Sequence, residues 1–172
     1  MGCLLNCDAV KWRLSGVAAA LVLLASSVQA QDAGSGPFAG LHGFWSGIGT
    51  ITLQNGGEER IRCRATYAVS DGGASLRQNL RCASDSYRFD LSSNVVAQGS
   101  AISGTWTETT RGASGSLSGR ASGAGDVQVR VDSPGFAASL SMRTRGNRQA
   151  VSISSSGTAL TGVTITLSRA SG

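Results

Sequence analysis

From residue 31 onward, the pattern that most limits the fold is alternation. "RIRCRATYAV", Arg60 to Val69, puts Ile61, Cys63, Ala65, Tyr67 and Val69 on one side of an extended chain, and mostly arginine, threonine and alanine on the other. A period of two is the geometry of a half-buried strand. It recurs along the chain, and no stretch after residue 30 repeats apolar residues at helical spacing for long enough to build a helix. The sequence therefore predicts an all-β protein. Strands are expected at about 44–53, 59–70, 75–82, 86–92, 94–98, 101–109, 115–121, 126–132, 136–144, 149–155 and 160–169. Glycine, serine, asparagine and aspartate clusters separate them, as turns require.

Short strands without crossover helices imply an antiparallel up-and-down meander, and a meander of about 8–10 strands removes its edges by closing into a barrel. A membrane-spanning barrel also alternates, but it needs strands of about 9–11 residues and aromatic girdles. Here most expected strands are shorter, aromatics are 5% of residues, and the face opposite the apolar one is Ser, Thr, Arg, Asn and Gln. The interior set includes Tyr67, Leu76, Leu80, Tyr87, Phe89, Trp106, Phe136, Leu140 and Met142. Those side chains either fill the barrel or line a cavity in it. A phrase of one large apolar residue, one hydroxyl and glycine returns at 45–47 (WSG), 102–104 (ISG), 117–119 (LSG) and 160–162 (LTG). It suits a strand that bends where backbone passes close.

The clearest hairpin lies between "RIRCRATYAV" and "SLRQNLRC", where a Gly72-Gly73 loop is expected because both residues accept positive φ. Cys63 and Cys82 stand at equal distances from the centre of that loop, so the register opposes them directly. A directly opposed antiparallel pair is close enough for a disulfide. The same register opposes Arg64 to Arg81, Ala68 to Arg77 and Arg60 to Asp85 on the outer face, with Arg62 beside them.

The N-terminal thirty residues read as an export signal. Lys11 and Arg13 precede the apolar "LSGVAAALVLLASS", and Val28 to Ala30 form a small-residue cleavage site. The apolar run is shorter than the roughly 20 residues of a spanning helix. Cys3 and Cys7 precede it, the wrong place for a lipid anchor. The expected organisation is a signal helix at 1–30, a flexible linker at 31–40 ("QDAGSGPFAG") and a barrel domain at 41–172, in a periplasmic or secreted monomer. After cleavage only Cys63 and Cys82 remain, and an even pair in an exported chain reads as a disulfide. Removing Lys11, Arg13 and Asp8 takes the net charge from +5 to +4, with every remaining basic residue an arginine. That favours anionic partners.

Arg62, Arg64, Arg77 and Arg81 are the anion-binding candidates. Directly opposed like charges destabilise a sheet unless counter-charges arrive. Either these side chains splay into water and find Glu58, Glu59 or Asp90, or they form a shallow site for phosphate or carboxylate. Without interleaved aromatics they are no platform for nucleic acid. Glu108 is in phase with Ile102, Gly104 and Trp106 and points inward near a barrel mouth, where it either grips a ligand or sits wet at a strand end. Tyr67, Trp106, Glu108 and Phe136 are the interior ligand-contact candidates. His42 is the only histidine, too few ligands for zinc. No nucleophile–base pair, phosphate loop or metal cluster emerges, so a non-enzymatic role without cofactor is expected.

"LHGFW" (Leu41, Gly43, Trp45) resembles the G-x-W first strand of the calycin superfamily, the lipocalins and their relatives, and of the bacterial metalloprotease inhibitors with a small lipocalin-like barrel. In lipocalins that tryptophan closes one end of the barrel beneath an arginine from near the last strand. Arg169, just after "TGVTITL", holds the matching place, so the resemblance implies a Trp45–Arg169 cation–π pair. Lipocalins end in a helix with no counterpart here and the inhibitors are shorter, so neither specific activity transfers. The leading expectation is an exported barrel that binds a small apolar or amphipathic ligand. The alternatives are a protein-interaction or protease-inhibitor module docking an exported protein, and an envelope protein contacting anionic lipid or polysaccharide through the arginine face.

Overall fold

The computed structural model describes residues 36–123 and 125–170. The expected export signal at 1–30 and residues 31–35 of the expected linker lie outside them. Ten strands follow one another: β1 (Gly43–Leu53), β2 (Glu58–Ser70), β3 (Ser75–Ala83), β4 (Arg88–Gln98), β5 (Ala101–Glu108), β6 (Ala113–Ser122), β7 (Asp126–Ser133), β8 (Phe136–Arg145), β9 (Arg148–Ser156) and β10 (Leu160–Arg169). Each is antiparallel to the next in sequence, and β1 pairs with β10 to close the barrel. The expected all-β closed meander is the observed fold.

The expected strands at 86–92 and 94–98 are one strand, β4. Ser93, left between them, does not break it: it is buried on the inner face opposite Gln78, and its hydroxyl donates to Gln78 Oε1 at 3.5 Å. The 63–82 register is as derived, from Arg62–Ala83 to Ser70–Ser75. The loop is wider than the two glycines, however. It runs from Asp71 to Ala74, and the extra residue on each side leaves the pairing unchanged. Asp71, Gly72 and Gly73 all take left-handed φ, at 53°, 62° and 94°. The widened loop receives the segment before β1: Gly36 N–H donates to Gly72 O at 2.7 Å and Phe38 N–H to Gly73 O at 3.0 Å. A Cβ on Gly73 would lie 2.8 Å from the Gly36 carbonyl oxygen.

The described part of the expected linker is thus docked rather than free. Phe38 is 1% exposed and Leu41 is fully buried beside the 3₁₀ turn Ala39–Leu41. Burying a side chain the size of Phe38 contributes about 1.5–3 kcal/mol toward holding the segment, alongside Leu41 and the two backbone bonds.

The glycine phrase marks close approach at three of its four places. A Cβ at Gly47, Gly104 or Gly119 would fall 1.9–2.0 Å from a carbonyl oxygen of the adjoining strand. Gly162 has no such neighbour; its nearest contact is 3.7 Å away. Inward positions are mostly apolar and outward ones are largely serine, threonine and arginine. That facing is the reverse of the apolar outer band that a lipid-spanning barrel presents.

Candidate functional site

The two ends of the barrel differ. At one end Trp45 is 1% exposed and its Nε1 donates to Leu41 O at 2.8 Å. The Arg169 guanidinium lies 4.6 Å above the Trp45 ring centre and donates to the carbonyls of His42 and Gly40. Phe38 and Leu41 complete the plug. Tyr67 is also at this end, with its ring edge toward Trp45 at 6.3 Å between centres. Its hydroxyl donates to Gln149 Oε1 at 2.8 Å, and Gln149 Nε2 donates to Thr144 Oγ1 at 3.1 Å. Burial holds the Tyr67 hydroxyl well above the ordinary phenol range, the Gln149 bond offsetting part of that, so Tyr67 remains a donor.

The opposite end is covered less tightly. Leu53, Phe89, Leu91, Phe136 and Leu160 face inward there and are only half-buried. Trp106 lies beneath them, with its ring edge-on to Phe136 at 6.1 Å and its Nε1 donating to Ser116 O at 3.2 Å. Arg111, in the turn between β5 and β6, places its guanidinium 4.7 Å over the Phe89 ring. Of the four interior candidates, Trp106, Glu108 and Phe136 therefore gather at the mouth and Tyr67 does not.

Glu108 is 8% exposed and its oxygens are engaged. Oε1 accepts from the N–H groups of Asp90 and Thr110 at 3.0 and 3.1 Å and from the Thr110 hydroxyl, while Oε2 accepts from Arg111 N–H at 2.9 Å. The Arg111 guanidinium is 3.6 Å from Oε2. Burial pushes the carboxyl up, but the hydrogen bonds outweigh it and hold the pKa below the ordinary value of 4.5. Glu108 shapes the mouth turn rather than offering a free carboxylate. A folded-state pKa below the unfolded one means that the stabilisation is complete above the unfolded value and is lost as pH falls through the folded value. Urea midpoints of wild type and Glu108→Gln are expected to differ most at neutral pH and to converge on acidification. A gap that stays constant into acid would refute this role.

On the outer face, Arg64 opposes Arg81 as expected, and counter-groups come from β4. Arg81 Nε contacts Asp90 Oδ2 at 3.1 Å, and Arg77 binds Asn94. Arg62 and Arg64 have no carboxylate within ion-pair distance among the described residues. The expected Arg60–Asp85 opposition does not form. The β2–β3 ladder stops at Arg62–Ala83 because Ser84 and Tyr87 close a turn, with Ser84 N–H to Tyr87 O at 2.9 Å. Glu59 accepts from Ser86 N–H at 2.9 Å and so serves this turn instead of an arginine. Cys63 and Cys82 are bonded to each other inside the barrel. A separate open concavity of about 460 Å³, lined by Arg120, Arg130, Gln128 and serines, lies on the outside over β6–β9.

The sequence reading missed Phe38, Arg111 and Gln149. Phe38 and Leu41 carried a signal, as two large apolar residues three apart in an otherwise small-residue stretch. Arg111 and Gln149 carried none, since only the closed barrel brings them to their partners.

The fold is a calycin-like barrel: ten antiparallel strands, one end plugged by residues 36–41, the other bearing half-buried apolar side chains. Among the solved structures that share this fold are the following two. Rv2717c from M. tuberculosis superposes with a TM-score of 0.64 at 15% identity, over 77% of this chain and 94% of that one. The S-type phycobiliprotein lyase CPES from Guillardia theta does so with a TM-score of 0.58 at 12% identity, over 78% and 91%. At such identities the likeness is one of fold. No family model matches the chain, and no curated protein is significantly similar to it.

Proposed function

We propose that the chain is an exported binding protein that takes a small apolar or amphipathic ligand at the less tightly covered end of its barrel. The observation that carries this reading is the asymmetry of the ends: Phe89, Leu91, Phe136, Leu160 and Leu53 stay half-buried at the mouth, whereas the plugged end is closed. Apolar side chains left partly exposed beside a few polar groups are the lining that small-molecule sites use. The Arg111 guanidinium at the rim supplies such a group. Export is supported by the signal-like first thirty residues and by the Cys63–Cys82 bond, which persists in oxidising compartments. One structure of similar fold is that of a phycobiliprotein lyase, so the fold alone does not separate a binder from an enzyme. The engagement of both Glu108 oxygens favours a binder, because that carboxylate is not free to transfer protons to a ligand.

The test is native mass spectrometry of protein recovered from an exporting host, followed by titration with anilinonaphthalene sulfonate read by tryptophan emission. Captured mass that leaves on denaturation is expected. Phe136→Ala should weaken probe binding about tenfold through lost apolar contact, and Tyr67→Phe, at the plugged end, should leave it unchanged. A bare native mass with no saturable probe binding would sink the proposal.

A further inference from the structure

We propose that the outer face of β1 and β2 is a docking surface for an anionic phospholipid bilayer. On a barrel coated mainly with small hydroxyl side chains and arginines, Phe44 and Ile48 project outward from β1, 68% and 51% exposed. The β1–β2 ladder sets Ser46 against Arg64, Ile48 against Arg62 and Thr50 against Arg60. Outward residues two apart on one strand are about 6.8 Å apart, so three guanidiniums form a ridge alongside the two apolar side chains.

Glu58 continues the same outward row beyond Arg60, so the ridge carries three positive charges against one negative. The arginines at 81, 111, 143 and 145 each meet a carboxylate, but none lies within ion-pair distance of Arg60, Arg62 or Arg64 among the described residues. On the other flank β10 presents only Thr164, Thr166 and Ser168. Ile48, Thr50, Arg60, Thr164 and Thr166 line a depression of about 270 Å³, which has room for a phosphate group between hydroxyl donors and a guanidinium. The surface differs from the arginine group suggested by sequence, because Arg77 and Arg81 already have partners on β4.

A bilayer matches both features at once. Its phosphates meet the guanidiniums, and its interfacial apolar layer takes Phe44 and Ile48. A soluble polyanion would satisfy only the charges. This inference is independent of the ligand at the mouth, so either can fail alone.

The experiment is flotation of the exported protein with vesicles of phosphatidylcholine alone and of phosphatidylcholine with phosphatidylglycerol in equal parts. Partitioning onto the anionic vesicles only, weakening as salt rises, is expected. Arg60→Gln/Arg62→Gln/Arg64→Gln should lower it about a hundredfold, from roughly a factor of five per basic residue at the surface. Phe44→Ser/Ile48→Ser should lower it on the same vesicles, with urea midpoints of both variants confirming that they are folded. Equal partitioning onto both vesicle types, or an unchanged folded triple variant, would overturn the proposal. So would retention on dextran sulfate without flotation, which would assign the ridge to a soluble polyanion.

Discussion

Replacing Trp45 with alanine is expected to lower stability by about 3–5 kcal/mol, the cost of removing a large aromatic side chain from a packed core. Trp45 joins β1 to three things at once: the ring packs under Arg169, its Nε1 holds Leu41 O, and its edge meets Tyr67. The alanine variant leaves a cavity at the plugged end and a buried Leu41 carbonyl without its donor. For a barrel of this size the thermal midpoint should fall by roughly 10–20 °C. Trp45→Phe, which keeps most of the volume and loses the Nε1 bond, should cost about 1–2 kcal/mol. Urea unfolding of the two variants separates volume from hydrogen bonding. An alanine variant within about 1 kcal/mol of wild type, an ordinary single-site cost, would mean that Phe38 and Leu41 close this end unaided.

Reducing the Cys63–Cys82 bond is expected to cost about 3 kcal/mol, from loop entropy returned to the unfolded chain across a separation of 19 residues. Both cysteines are buried and directly opposed on β2 and β3, so the reduced thiols stay packed in the folded state and the effect falls on the denatured ensemble. The comparison is the urea midpoint with and without reductant, alongside a native mass two hydrogens below the reduced value. Two titratable thiols in unreduced protein, with equal midpoints, would contradict it.

The β2–β3 register was legible because two constraints coincided: a glycine pair at the loop, and cysteines at equal distance from it. The register survived a four-residue loop because a symmetric widening moves no pair. Ser93 misled because a serine in a polar run was read as a break, whereas on an inward position of β4 its hydroxyl can bond across to Gln78 on β3. The mouth was partly legible, since alternation pointed Trp106, Glu108 and Phe136 inward. Alternation gives a face but not a height along the barrel, and so it could not separate Tyr67 at the plug from the others. Nor could it show that Glu108 spends its lone pairs on the amides of its own turn, a contact made only when β4, β5 and the following turn meet.

The seam between β1 and β10 has a cost in time. Nine of the ten ladders join consecutive strands and can zip as hairpins, but the tenth joins the first strand to the last. A chain emerging from its N terminus holds β1 unpartnered on one side until β10 appears. During that interval the nascent sheet carries two open edges, the state in which β proteins cross-pair and aggregate. The docked segment before β1 finds its arginine on β10 as well, so the cork and the seam must set together. Premature release of the chain before residue 160 would forfeit both at a stroke.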